Sequence, residues 1–360
     1  MGWKDAYFRE VSRMADRIQD GAGARSRGAA VALTVAGLLA ARALLRARRA
    51  YPLRGKVVLI TGGGRGLGLT LAREFARYGA RLVICARDPD ELERARRDLE
   101  ERGADVLAIS CDVTNLDQVR EMERTVRERW GRVDVLVNNA GIIQVGPLET
   151  ITREDYEEAM RVHFWGPLNT IETFVPAMRE RRHGRVVNIS SVGGKISVPH
   201  LLPYCASKFA LTGLSQGLRA ELERDNVLVT TVCPGLMRTG SPRNAYFKGK
   251  HRAEYAWFSI SDSMPVLSTS AEHAARSIVE GCRHGDAEVV FPFLTQVAVR
   301  FHGLFPGATA EVLSLVNRAL PAANGAGTRK LRGAESESAA SPSLLTVLGD
   351  RAAEAHNQVR

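Results

Sequence analysis

Val57-Val58-Leu59-Ile60 runs straight into Thr61-Gly62-Gly63-Gly64-Arg65-Gly66-Leu67-Gly68, and a stretch with helical spacing, Leu67–Tyr78, follows. The four apolar, mostly branched residues read as a buried strand. Five glycines in the seven residues 62–68 exceed what an ordinary strand–helix turn needs. Glycine lets backbone approach a phosphate closely, and the helix N-terminus adds N–H donors and partial positive charge. The G-K-[ST] ending of a nucleoside-triphosphate loop is absent, and so is the strict G-x-G-x-x-G spacing. The glycines that matter here are Gly62, Gly66 and Gly68, after a threonine.

Outward from this turn the same alternation repeats. Further strands are expected at Arg81–Ala86, Val106–Cys111, Val133–Asn138, Arg185–Ser190, Val227–Cys233 and Glu288–Pro292. Amphipathic segments lie between them: Asp90–Arg102, Leu116–Trp130, Arg153–Val162, Leu168–Arg182, Tyr204–Arg224 and Ala271–Arg283. Strands alternating with helices predict an α/β fold with a Rossmann-like, doubly wound parallel sheet. Right-handed crossovers then place helices on both faces of a single domain, residues 53–321. The chain has 360 residues, 45% of them hydrophobic and 25% charged, which excludes a disordered, collagen-like or disulfide-scaffold protein. Five cysteines (Cys85, Cys111, Cys205, Cys233, Cys282) form no metal-binding spacing and read as small buried hydrophobes, with no metal site expected.

The two ends differ from the body. The net charge is +10, and an excess of seven positive charges falls within residues 1–55. The remainder is close to neutral, so nucleic-acid binding by a basic face is not expected. Residues 1–52 read as an anchor. An amphipathic helix is predicted over Trp3–Ile18, and an apolar run, Ala29–Leu45, interrupted by Arg42, reaches the lower length limit of a membrane span. Flanking positive charge favours anionic lipid and a cytoplasmic catalytic body. Residues 322–360, rich in Ala, Gly, Ser and Glu, read as a flexible tail with a short helix at Leu344–Ala355.

The glycine turn resembles that of the classical short-chain dehydrogenases/reductases, T-G-x-x-x-G-x-G, and the resemblance continues in register over roughly residues 54–290. Asp112-Val113 closes the third strand, Asn138-Asn139-Ala140-Gly141 ends the fourth, and Ser191 follows the fifth. Tyr204-Cys205-Ala206-Ser207-Lys208 supplies Y-x-x-x-K, and Pro234-Gly235 with Thr239 ends the sixth. The resemblance implies an NAD(P)-dependent oxidoreductase moving a hydride between the nicotinamide and a small-molecule carbonyl/alcohol pair. Its implied cofactor residues are Thr61, Gly62, Gly64, Arg65, Gly66, Leu67, Gly68, Arg87, Asp112, Val113, Asn138, Ala140, Gly141, Tyr204, Lys208, Pro234, Gly235 and Thr239.

Tyr204 and Lys208 are four apart and share a helix face. An adjacent ammonium and an oxidised nicotinamide both favour the phenolate, so Tyr204 can serve as the acid/base, while Ser191 donates to the substrate oxygen. The family's usual Asn falls at His163, which either offers its main-chain carbonyl or joins the relay as an imidazole. NADP(H) is favoured over NAD(H). Arg65 and Arg87 flank the expected adenosine end, and Ala86 stands where an NAD-type acid would be. Asp88, twenty residues past Gly68, is the counter-signal.

The segment 236–267 falls where the family places its substrate lid. Its Tyr246, Phe247, Tyr255, Trp257, Phe258 and Met264 suggest a lipophilic substrate or, equally, contact with a second subunit in a homo-oligomer. The sequence also contains Gly213-Leu214-Ser215-Gln216-Gly217, the hydrolase pattern G-x-S-x-G, but within a helical stretch rather than at a strand–helix elbow. A second reading of the whole chain is a membrane-held nucleotide-binding scaffold with little catalysis, kept open by the His163 replacement.

Overall fold

A computed structural model describes residue 10 and residues 24–323, 325, 327–338, 341–343 and 345–359. The chain divides into two units, Met1–Ala50 and Tyr51–Arg360. In the first, α1 (Ala24–Arg48) covers the apolar run and closes on Arg46 and Arg48, the favourable end of the helix dipole for cations. The helix expected over Trp3–Ile18 lies outside the described residues, apart from Glu10. Among the described residues no helix is long and apolar enough to cross a membrane. Of the two forms left open for the anchor over Ala29–Leu45, spanning a membrane or lying on it, the first is not supported. Its alanines and glycines are too weakly hydrophobic, and Arg42 interrupts it.

The second unit is built on a seven-stranded sheet. Its strands are β1 (Val57–Thr61), β2 (Arg81–Ala86), β3 (Val106–Ser110), β4 (Val135–Asn138), β5 (Gly184–Ile189), β6 (Val227–Pro234) and β7 (Glu288–Phe291). In space they run β3-β2-β1-β4-β5-β6-β7, every neighbouring pair parallel. The doubly wound α/β fold is as expected.

Strand alternation feeds two cores. On one face Val58 and Ile60 of β1 and Leu82 and Ile84 of β2 meet α2 (Gly66–Arg77), α3 (Pro89–Glu101) and a later helix, Ala271–His284. Phe75, Leu99 and Ile278 there are fully buried. On the other face Val57, Leu59, Val83 and Cys85 meet α4 (Leu116–Trp130) and a helix over Gly166–Glu180 through Met122, Val126, Phe174 and Met178.

The chain changes direction across the sheet between β1 and β4, so a crevice opens beyond their carboxyl ends. Thr61 joins those ends. Its hydroxyl oxygen accepts from the Asn139 and Ala140 N–H groups at 2.9 and 3.0 Å, and Asn139 Nδ2 returns a bond to the Thr61 carbonyl at 3.0 Å.

Residues 322–360 depart from the expected flexible tail. Leu331–Arg332 adds an antiparallel strand to Tyr246–Phe247, which pairs in turn with Gln144–Val145. A helix over Val347–Ala355 follows, and Ser336, Ser341, Ala353 and His356 are buried. The segment packs through small residues in close approach, a mode that a count of large apolar side chains does not register. A Cβ on Gly333 would meet the Pro242 carbonyl, and one on Gly240 would meet Ala353.

Candidate active site

A single cleft of about 660 Å³ runs from Arg87 and Asp112, over the glycine turn, to Tyr204. Two glycines show why this turn is built as it is. Gly66 has φ +54°, the left-handed region, and a Cβ on Gly68 would strike the Gly62 carbonyl oxygen. Helix α2 begins at Gly66, so the N–H groups of its first residues have no intrahelical acceptor. That of Gly66 donates to the His356 carbonyl at 2.8 Å. Leu67 and Gly68 both line the cleft, and a helix start of this kind suits an anion.

Most of the anticipated residues line this cleft: Gly62, Arg65, Gly66, Leu67, Gly68, Arg87, Asp112, Val113, Ala140, Gly141, His163, Ser191, Tyr204, Lys208, Pro234, Gly235 and Thr239. Thr61, Gly64 and Asn138 do not. Thr61 is the β1–β4 tie described above. Asn138 lies buried behind the cleft, donating to Asn188 Oδ1 at 2.9 Å and accepting from Thr170 at 2.6 Å. The Gly64 carbonyl is taken by Asn357 Nδ2 at 2.8 Å.

At the Arg87 end two local signals change meaning. Asp88 caps α3, its Oδ1 accepting from the Asp90 and Glu91 N–H groups at 3.1 Å each. Arg65 is paired with Glu91 at 2.6 Å, a carboxyl that burial holds above its usual range. Glu91 lines the cleft and had no signal in the motif reading, because it lies on a helix 26 residues from its partner.

At the other end a helix over Leu202–Leu222 places Tyr204 and Lys208 on one face, against the end of β5. Lys208 is buried. Its Nζ donates to the Ile189 carbonyl at 2.8 Å and lies 5.7 Å from the Tyr204 ring centroid. Burial holds its pKa down to about 7. Ser191 caps a short turn, its Oγ accepting from Gly193 N–H at 3.0 Å. The Tyr204 phenol is pushed up to about 12 by desolvation, against a smaller lowering by the Ser191 hydroxyl. The phenolate is expected from the ammonium and an oxidised nicotinamide acting together; the residues around the phenol shift it the other way. Burial disfavours the anion more than the Ser191 hydroxyl favours it, so these surroundings favour the protonated phenol.

His163 sits in a π-helical turn, Arg161–Trp165, a widened turn of the kind found at functional sites. It is 1% exposed, and both ring nitrogens are engaged. The Ile142 N–H donates to Nε2 at 3.1 Å, so the neutral ring carries its proton on Nδ1 and donates to Ser207 Oγ at 2.7 Å. Ser207 then donates to the Tyr204 carbonyl at 2.8 Å. Burial, then the nearby Lys208, hold the imidazole well below its ordinary pKa. With both nitrogens used, the side chain positions Tyr204 and the Ile142 loop.

The aromatic lid is corrected in part. Phe247, Tyr255 and Phe258 are buried in a small core of their own with Val145 and Leu201. Of the six aromatic and Met residues noted there, Tyr246 alone lines the cleft, beside Ile142, Ile143, Val162 and Met237. Ser215 is fully buried mid-helix, bonded to Asn188 at 3.0 Å and Thr231 at 2.7 Å, which removes the hydrolase reading. All five cysteines are buried and unpaired with one another, and the described residues hold no metal-binding cluster.

A buried neutral histidine links stability to pH. Its folded pKa is depressed, so the unfolded chain binds a proton that the folded chain refuses. Stability is full above the unfolded value and falls as pH drops below about 6.5, by about 1.4 kcal/mol per pH unit for one such group. Denaturant unfolding of wild type and His163→Asn between pH 7.5 and 5 is expected to show a shallower loss in the variant. Parallel curves would mean that the folded imidazole takes up the proton after all.

Comparison with known proteins agrees with this geometry. Residues 56–247 match the family described as short chain dehydrogenase. A dehydrogenase/reductase SDR family protein 7-like from Anopheles gambiae is 34% identical over 265 residues, 72% of this chain and 82% of the relative. A short-chain dehydrogenase/reductase from Burkholderia phymatum, solved in complex with NAD, superposes with TM-score 0.66 at 27% identity, covering 71% of this chain and 95% of that one. An actinorhodin polyketide ketoreductase with NADPH superposes with TM-score 0.59 at 30% identity, covering 66% and 95%. With the glycine turn, Ser191, Tyr204 and Lys208 lining one cleft, the chain belongs to the short-chain dehydrogenase/reductase family of oxidoreductases.

Proposed function

We propose that this protein reduces a carbonyl or oxidises the matching alcohol with NADP(H), with Tyr204 as the proton donor and acceptor at the reacting oxygen. The observation that carries this reading is the continuity of one cleft from the α2 N-terminus to the Tyr204 phenol. The residues fit a dinucleotide: the turn is too tight for a Cβ at Gly68, and Leu67 and Gly68, at the start of a helix, line the cleft with their backbone. When bound, the nicotinamide supplies or accepts the hydride.

The chain's own residues do the rest. Ser191 Oγ donates to the substrate oxygen as charge develops there. Tyr204, protonated at rest, gives its proton to that oxygen in reduction and takes one back in oxidation. Lys208, held on the Ile189 carbonyl, carries charge only near and below neutrality and then stabilises the phenolate left behind. Ile142, Ile143, Val162 and Met237 line the same cleft as Tyr204 and support a substrate with an apolar flank.

Tyr204→Phe is expected to cost at least about 100-fold in turnover with cofactor affinity nearly intact, since the phenol is the group that moves the proton. His163→Asn should stay within about tenfold. NADPH oxidation with a panel of ketones and aldehydes reads both. Tight NADPH binding with no ketone-dependent oxidation would favour the scaffold reading instead.

The preference for NADP(H) is supported by exposed Arg87 at the adenosine end, by Ala86, and by the use of Asp88 as a helix cap, whereas Arg65 is engaged by Glu91. NADPH is expected to bind at least about tenfold tighter than NADH, with the gap shrinking in Arg87→Ala. Equal dissociation constants in wild type would reverse the assignment.

The N-terminal segment is proposed to hold the protein at a membrane surface through its basic charge and apolar run, with the catalytic body on the cytoplasmic side. Fractionation in detergent-free buffer should pellet the full chain with anionic vesicles and leave a version beginning at Leu53 in solution. Equal solubility of the two with vesicles present would refute it.

A further inference from the structure

The end of the chain lies on the glycine turn. The helix over Val347–Ala355 delivers three residues there. His356, 3% exposed, accepts the Gly66 N–H on its carbonyl at 2.8 Å, and its Nδ1 meets Thr70 Oγ1 at 3.2 Å. Asn357 Nδ2 donates to the carbonyls of Gly64 at 2.8 Å and Glu91 at 3.0 Å, while its Oδ1 accepts from Arg94 at 2.8 Å. The anchor thus grips the turn and its flanking helices at six hydrogen-bonding groups of α2, α3 and the loop between β1 and α2.

Gln358 leaves this anchor and lines the cleft. Asn244 Nδ2 donates to the Gln358 carbonyl at 3.0 Å and to its Oε1 at 2.7 Å, so the side-chain amide cannot rotate freely. With Oε1 so held, Nε2 faces Gly66. It stands 2.5 Å from the place a Cβ on Gly66 would take, and the Thr239 Cβ lies 3.9 Å from the same point. Among the described residues no acceptor is hydrogen-bonded to Nε2. A neutral amide with free N–H groups, fixed beside a helix N-terminus that favours anions, is a phosphate donor. The cleft keeps about 660 Å³ and still reaches Tyr204 with the segment in place, a volume usual for ligand sites. The segment is a wall of the cleft and leaves its path open.

We propose that Gln358, oriented by Asn244 and anchored through His356 and Asn357, is a cofactor-binding residue that donates to the diphosphate of the dinucleotide, and that the C-terminal segment is a clasp that slows cofactor release. This rests on the reading of the cleft as a dinucleotide site. It adds a binding element 111 residues beyond the end of the family match at residue 247.

Stopped-flow fluorescence of NADPH with the full-length protein tests it, reading association and dissociation without turnover. Gln358→Ala is expected to raise the dissociation rate about tenfold with little change in association. Gln358→Glu keeps the size but sets a carboxylate against a diphosphate, and should weaken binding beyond the alanine variant. Asn357→Ala, which loosens the anchor, should raise both rates. Unchanged dissociation in Gln358→Ala, or equal affinities of the alanine and glutamate variants, would overturn the contact. Tighter NADPH binding in the variants would make the segment an obstruction and overturn the clasp. Failure of wild type to bind NADPH or NADH would instead refute the dinucleotide reading itself, whatever the variants do.

Discussion

The site depends on one hydroxyl. Thr61 ends β1 where the strand order reverses, and its Oγ1 accepts two successive N–H groups from the end of β4. A hydroxyl oxygen has the two lone pairs this requires and is small enough to sit, 2% exposed, between two strand ends. Leaving either N–H unpaired in that setting would cost about 1–3 kcal/mol. The tie sets the distance between the walls of the crevice. The glycine turn, which begins at Gly62, and the loop 139–142 both start from it.

From there a chain of hydrogen bonds reaches the reacting end. Ile142, two residues past the Thr61 contacts, donates to His163, which donates to Ser207, which donates to the Tyr204 carbonyl. Each link is modest, about 1 kcal/mol net, but each is buried or nearly so, and each removes a freedom from the phenol's position. His163 therefore replaces an amide by a rigid two-ended connector. The burial that makes the connector rigid also keeps the imidazole neutral. The same low-dielectric surroundings hold Tyr204 protonated and bring Lys208 down to about 7. Position and protonation state have one cause.

Much of this was legible in the residues. The seven strands fall where branched apolar runs predicted them, to within two residues at each end. Periodicity works well here because both faces of each strand meet helices, leaving no polar alternation to blur the run. The motif residues converged as well, apart from Thr61, Gly64 and Asn138, which brace the cleft from behind. Signals that rested on composition alone did worse. Aromatic residues in the lid segment were read equally toward substrate and toward a second subunit, yet Phe247, Tyr255 and Phe258 pack on one another, because a short excursion from the sheet must supply its own core. The C-terminal stretch looked too poor in large apolar residues to fold, yet it packs by glycine, alanine and serine in close approach.

The sequence by itself determined the parallel doubly wound sheet, the glycine turn and the pairing of Tyr204 with Lys208 on one helix face, because each follows from local spacing: period-two and helical patterns, glycines in a turn, two residues one helical turn apart; Ser191 was picked out by the family resemblance. Tertiary structure alone decided which charges are available and what walls the cleft. Arg65 answers to Glu91, Asp88 to a helix start, and Gln358 comes to lie beside Gly66 from the far end of the chain. These are pairings between elements distant in sequence. Their partners are selected by how helices pack around the sheet, and no local pattern encodes that.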